Sequence, residues 1–164
     1  MPETRTTDVL IAGQGAAAFA AALYTARYQI HGMIVGDRFG GETAIGGGIE
    51  NYPGYPEIDG FDLMLKFREQ VDKYEVPIVD AALTGVENKG DHFVSTLSDG
   101  TTVESGAVIF AIGRERRKLN LEHEEAWTGK GVSYCSTCDA PLYREKTAAV
   151  VGGGSAAVEG AILL

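Results

Sequence analysis

The sequence predicts an α/β fold built on a parallel sheet, and three observations carry that prediction. A short apolar run, Asp8-Val-Leu-Ile-Ala12, breaks at Gly13-Gln-Gly15 directly into an alanine-rich stretch. A second apolar triplet, Met33-Ile-Val35, follows that stretch at the spacing of a βαβ unit. The same order of apolar run, glycine turn and alanine-rich stretch then returns at residues 148–157.

The first run is continuous rather than alternating, as expected of a strand covered on both faces of a parallel sheet. Residues 16–27 are rich in the best helix former and hold no Gly or Pro, so a helix is expected to begin where the glycines end. Met33-Ile-Val35 supplies the second strand. From Asp59 the spacing turns helical, with Met64, Phe67, Val71 and Tyr74 on one stripe and Pro77 as the stop. Residues 83–87 and 92–97 read as β-prone pieces, Ser98-Asp-Gly100 as a hairpin turn and 101–104 as the return strand, which together predict a β-meander. Ala107-Val-Ile-Phe-Ala-Ile112 is fully apolar and ends at Gly113, which predicts a return to the parallel sheet. The charged stretch 114–118 is the expected domain hinge.

Glycine is the outlier in the composition, at 22 of 164 residues, where about 7% is usual. Its clusters each touch a hydrophobic segment, so they mark turns rather than flexible spacers. Fourteen basic against 23 acidic residues leave a net charge of −9. That balance excludes a nucleic-acid surface, because the densest basic run, Arg114, Arg116, Arg117 and Lys118, is too small to displace condensed counterions. An anionic membrane face would also repel the chain. The longest apolar run, residues 16–24, is well short of the ~20 residues a bilayer span needs. Glu3, Asp8 and Gly13 interrupt the basic and hydrophobic regions of a secretory signal. A cytoplasmic globular protein with no nucleic-acid and no membrane partner is therefore expected.

Gly13-x-Gly15-x-x-Ala18 is a dinucleotide fingerprint: its glycines let the backbone bend and approach a pyrophosphate, which rests on amide groups at a helix N-terminus. Ala148-Ala-Val-Val-Gly-Gly-Gly-Ser-Ala-Ala157 aligns with Val9-Leu-Ile-Ala-Gly-Gln-Gly-Ala-Ala-Ala18, placing Gly152 on Gly13 and Gly154 on Gly15. Two dinucleotide sites in series are expected, on a Rossmann-like domain at 1–117 and on the start of a second at 118–164.

Both cysteines lie in Cys135-Ser-Thr-Cys138. A structural zinc site needs four ligands, and His31, His92 and His123 are scattered without ligand spacing, so no metal is expected. A disulfide across two residues closes almost no loop and removes little unfolded-state entropy. Redox exchange remains: two thiols so spaced form a small ring at a helix start, where the dipole favours a thiolate. Asp139 follows at once, either as a helix-start carboxylate or as a proton donor.

Taken in order along the whole chain, Gly40-Gly41, Glu50-Asn-Tyr-Pro-Gly-Tyr-Pro56, Asp59-Gly60, Gly131-Val-Ser-Tyr-Cys-Ser-Thr-Cys-Asp139 and Val151-Gly-Gly-Gly154 resemble the low-molecular-weight thioredoxin reductases. The resemblance implies FAD on the first fingerprint, NADPH or NADH on the second, and a dithiol that reduces a thioredoxin disulfide. It also implies a homodimer whose two domains rotate relative to each other. Gly13, Gly15, Ala16 and Ala17 would hold the FAD pyrophosphate. The segment 35–42, with Gly36, Asp37, Gly40, Gly41 and Glu42, would run along the adenosine and ribityl parts. Asn51 would sit near the flavin ring, and Gly113 would be a further FAD contact. Gly152, Gly154, Ser155 and Ala156 would hold the nicotinamide dinucleotide. Cys138 would face the flavin, Cys135 would attack the partner disulfide, and Asp139 would complete the catalytic set.

The chain departs from the family pattern at several positions. Val35 stands where many relatives carry a ribose-binding acid, so either Asp37 makes that contact or none does. Glu42 replaces a Gln, Ile112 replaces a Thr, and Ser155-Ala156 replaces Asp-Ser or Asn-Ser. In the family, the rest of the nicotinamide domain and a segment completing the FAD site lie beyond the point where this sequence ends. The 164 residues alone are accordingly expected not to turn over. A related flavin-dependent disulfide reductase with a donor other than NADPH, and a non-catalytic dinucleotide-binding module, are the alternatives.

Overall fold

A computed structural model describes residues 3–115 and 117–164, in two compact units, Met1–Arg114 and Glu115–Leu164. Arg116, one cation of the expected hinge run 114–118, lies outside the described residues.

The larger unit contains β1 (Thr4–Ala12), α1 (Ala16–Arg27), β2 (Gly32–Val35), α2 (Gly41–Ala44), β3 (Gly48–Ile49), β4 (Ile58–Asp59), α3 (Gly60–Asp72), β5 (Ile78–Val79), β6 (Leu83–Asn88), β7 (Phe93–Leu97) and β8 (Thr102–Phe110). Six strands form one sheet in the order β5-β2-β1-β8-β7-β6. The first four run parallel, and β7 and β6 continue antiparallel as the meander. β3 and β4 form a separate antiparallel pair. The α/β architecture read from the sequence is the one present.

The core explains why β1 reads as an unbroken apolar run. Leu10 and Ala12 pack with Met33, Val35, Val79, Leu97 and Val103. Ile11, between them, packs with Ile34, Ala18, Phe19, Ala22, Met64 and Val71. Successive strand residues point to opposite faces, so both layers draw on the same short segment. Each large side chain fully buried this way contributes roughly 1.5–3 kcal/mol.

Two expected boundaries move. α3 starts as the Asp59 carboxylate accepts from the Phe61 and Asp62 amides at 2.8 and 3.4 Å, but it ends at Asp72, short of Pro77. Tight turns from Tyr74 N–H to Val71 O and Glu75 N–H to Asp72 O, with Glu75 at φ 54°, end it first. Met64 and Val71 are buried as the stripe requires, whereas Tyr74 lies beyond the helix and is 41% exposed. The expected strands 101–104 and 107–112 are one strand, β8, because β1 offers it a ladder from Thr4↔Thr102 to Ala12↔Phe110. β8 stops where β1 does. Phe110, the last residue of that ladder, is 61% exposed, and Ile112, beyond it, is 66% exposed.

The smaller unit contains α4 (Glu124–Trp127), α5 (Ser136–Asp139), a 3-10 turn at Ala140–Tyr143 and α6 (Ser155–Leu163). Residues 148–151, expected as a strand, form none: an extended segment becomes a strand only by pairing, and no described strand of this unit lies beside it.

Glu124 organises the start of this unit. It is only 7% exposed, and its carboxylate accepts the Leu119 and Leu121 amides at 3.0 and 2.9 Å. Burial pushes its pKa up as the largest single influence, but the amides of Leu121, Leu119 and Asn120 together outweigh burial and hold it below the usual glutamate value of 4.5. A depressed folded-state pKa adds stability that is full above 4.5 and fades as pH falls through the folded value. Glu124→Gln is therefore expected to melt lower than the parent at pH 7, with the gap closing below about pH 4.5. Melting curves across pH check this; a gap that stays constant would remove the carboxylate from the account.

Candidate functional site

The two glycine turns share one backbone geometry. Gly13 has φ 120° and Gly152 has φ 133°, a region that L side chains rarely adopt. A Cβ on Gly13 would collide with the Ala111 carbonyl. Gly15 and Gly154 are different: each is extended, at φ −90°, ψ −176° and φ −85°, ψ 170°, and each precedes the first residue of its helix. No protein atom lies within 4 Å of a Cβ built on either. The packing of the protein therefore does not require a glycine at either position. No side chain caps either helix, which leaves first-turn amides facing that space. A diphosphate approaching backbone amides fits both cradles.

The other first-fingerprint residues are gathered by Gln14, which the motif alone does not single out. Gln14 is buried at 3% exposure, and its Nε2 donates to Gly36 O at 2.6 Å and to Asp80 Oδ1 at 2.8 Å. Its own carbonyl accepts Gly40 N–H at 2.7 Å. One side chain thus ties the turn after β1 to the ends of β2 and β5. The signal in the sequence is a polar residue between two glycines at the end of a buried strand, a place where its amide must be paired.

Gly41 comes against Gly15, 3.6 Å from a Cβ built on Gly41 to the Gly15 Cα. Phe39 makes edge contacts with Phe19 and Phe61, with centroids at 5.9 and 5.6 Å, and so fixes the segment that carries Asp37, Gly40, Gly41 and Glu42. Asp37 and Glu42 are exposed, as is Ala17, while Ala16 is half-buried. Asn51 is exposed on the β3–β4 loop, which Tyr52 anchors to α3 through Phe67 at 6.1 Å. Gly113 follows β8, two residues beyond the carbonyl that confines Gly13.

In the smaller unit Cys135 and Cys138 form a disulfide, with Cα atoms 5.2 Å apart. Cys135 precedes α5 and caps it itself: its Sγ accepts Cys138 N–H at 3.3 Å, and its carbonyl accepts the Cys138 and Asp139 amides at 3.2 and 3.0 Å. Thr137 Oγ1 lies 3.4 Å from the same sulfur. Cys135 is half-buried and Cys138 exposed. Asp139 lies in the single turn of α5 and at the N-cap position of the 3-10 turn, where its side chain makes no capping hydrogen bond. Its Oδ2 instead accepts the Ser133 hydroxyl at 2.5 Å.

The buried Gly160 of α6 lets α5 approach closely: a Cβ there would lie 3.1 Å from both Cβ and Oγ of Ser136. The dithiol turn therefore rests on the helix that the second glycine turn begins. Ser155 and Ala156, which open that helix, are both exposed. Beside them is a cavity of about 530 Å³ lined by Tyr134, Ser136, Asp139, Tyr143 and Gly154 among others.

A glycine turn on a parallel sheet, its geometric repeat, and a disulfide resting on the repeat define a chain of the dinucleotide-dependent dithiol class. Residues 7–164 match the pyridine nucleotide-disulphide oxidoreductase family, and the chain belongs to it. It is 40% identical over 158 residues to thioredoxin reductase of Mycoplasma genitalium, covering 96% of this chain and 50% of that protein. It is 40% identical over 156 residues to a subunit of alkyl hydroperoxide reductase from Staphylococcus aureus, covering 94% of this chain and 31% of that protein. The crystal structure of thioredoxin reductase from Streptococcus pyogenes superposes with a TM-score of 0.81 at 39% identity, over 96% of this chain and 51% of that one. The chain thus spans about half the length of the thioredoxin reductases it matches. Among the described residues no helix is long and apolar enough to cross a membrane.

Proposed function

We propose that the protein carrying this chain is a flavin-dependent disulfide reductase that passes electrons from a nicotinamide dinucleotide, through Cys135 and Cys138, to a thioredoxin disulfide. The observation that carries the reading is the contact, through Gly160, of the dithiol turn with the helix of the second glycine turn. FAD would lie on the amides after Gly13 and Gly15, and NADPH or NADH on those after Gly152 and Gly154. A bound flavin would supply a two-electron carrier between the nicotinamide and the disulfide. Opening the Cys135–Cys138 bond leaves two sulfurs that need protons, and Asp139, one residue from Cys138, is the group that holds and delivers one. A homodimer in the cytoplasm, with a thioredoxin-like protein as partner, completes the reading. The direct test is the absorbance spectrum of the purified complete protein before and after anaerobic NADPH or NADH, followed by thioredoxin reduction; no flavin band would overturn the proposal.

The match to a component of an alkyl hydroperoxide reductase supports a second reading, in which the dithiol serves hydroperoxide reduction. Nicotinamide consumption that responds to a peroxide-reducing partner and ignores thioredoxin would select it.

Asp139→Asn tests the proton donor within either reading. Asn can still accept from Ser133 but has no carboxyl proton to give. Transfer from reduced flavin to the disulfide is expected to slow by ~10² to 10⁴, with the melting temperature nearly unchanged. Rapid mixing measures this, and transfer at the parent rate would remove the acid role.

A further inference from the structure

We propose that Ser133 is a positioning residue that locks the Asp139 carboxyl to the dithiol turn; this rests on the proton-donor reading of Asp139. The Ser133 Oγ accepts Cys135 N–H at 3.1 Å, lies 2.5 Å from Asp139 Oδ2 and 3.4 Å from Cys135 O. A hydroxyl has one proton to donate, and a carboxylate oxygen is the stronger acceptor as well as the closer one. The proton therefore goes to Oδ2. Ser133 engages Oδ2, so the proton-donor reading assigns the transferable proton to Oδ1. Because the same hydroxyl also holds the Cys135 amide, the carboxyl is fixed relative to the residue whose sulfur bond opens. A turn-closing role would need Ser133 only as an acceptor for Cys135 N–H. The donation to Asp139 is the additional function.

The test uses the complete FAD-loaded protein. Ser133→Ala is expected to slow transfer from reduced flavin to the disulfide by about 10- to 100-fold, while FAD content and the rate of flavin reduction by NADPH stay at parent values. Ser133→Thr keeps the hydroxyl and is expected to restore the rate. Added to Asp139→Asn, Ser133→Ala is expected to cost nothing further, since the two residues act as one unit. A readout independent of the cofactor is hydrogen exchange at the Cys135 amide, faster in Ser133→Ala and unchanged in Ser133→Thr. Parent-rate transfer in Ser133→Ala alongside slow Asp139→Asn overturns this proposal and leaves the Asp139 role standing. Parent rates in both overturn the proton-donor reading as well. Losses that multiply in the double variant would make Ser133 independent of Asp139 and overturn the coupling.

Discussion

Cys135→Ser and Cys138→Ser are each expected to abolish disulfide reduction by the complete protein, yet to leave different flavin spectra. Cys135 and Cys138 are bonded to each other, so either substitution removes the disulfide. The family resemblance makes Cys138 the flavin-facing sulfur. Cys135→Ser is then expected to show flavin absorbance perturbed by a nearby Cys138 thiolate, and Cys138→Ser is expected to lose that perturbation. The local geometry gives the two sulfurs unequal surroundings. Cys135 is half-buried and receives the Cys138 amide and the Thr137 hydroxyl, both suited to a sulfur that becomes an anion, whereas Cys138 is exposed. Anaerobic spectra and thioredoxin turnover of both variants decide the matter. Retained turnover in Cys135→Ser would sink the dithiol mechanism, and a perturbed spectrum confined to Cys138→Ser would reverse the assignment.

The parts legible in the sequence are those where one short segment determines its own conformation. The first glycine turn is such a case: a buried strand, a residue at φ 120° and an alanine-rich helix are each written locally. Its repeat carries the same backbone angles. What escaped the sequence depends on partners far along the chain. β8 runs through Gly106 as one strand because β1 supplies hydrogen bonds along its length, and no local pattern announces that partner. Residues 148–151 have the composition of a strand but no described neighbour to pair with. Gln14 and Ser133 fall between the motif positions that draw attention. Their importance lies in hydrogen bonds to Gly36, Asp80 and Asp139, groups that only folding brings near.

Gly15→Val and Gly13→Val are expected to fail in opposite ways, and the contrast is the sharpest check on the cofactor assignment. At Gly15 the backbone is extended and a Cβ meets no protein atom within 4 Å, so a valine is accepted by the fold itself. Its cost in stability is that of a poor helix-start residue, about 1 kcal/mol. The same side chain would stand where a pyrophosphate must approach the amides, so FAD retained per chain is expected to fall to background while the melting temperature moves little. At Gly13 a side chain must adopt φ 120° and also collide with the Ala111 carbonyl. The backbone strain alone is roughly 1–3 kcal/mol, so Gly13→Val is expected to lose folded protein together with flavin. Gly154→Val extends the logic to the repeat: it should keep FAD but lose reduction of the flavin by NADPH or NADH. The measurements are the ratio of flavin to protein absorbance, a melting curve, and anaerobic reduction. Normal flavin content in Gly15→Val would mean that the open space beside the first turn is not the pyrophosphate site. Loss of FAD in Gly154→Val, with the fold intact, would show that the flavin had been assigned to the wrong turn.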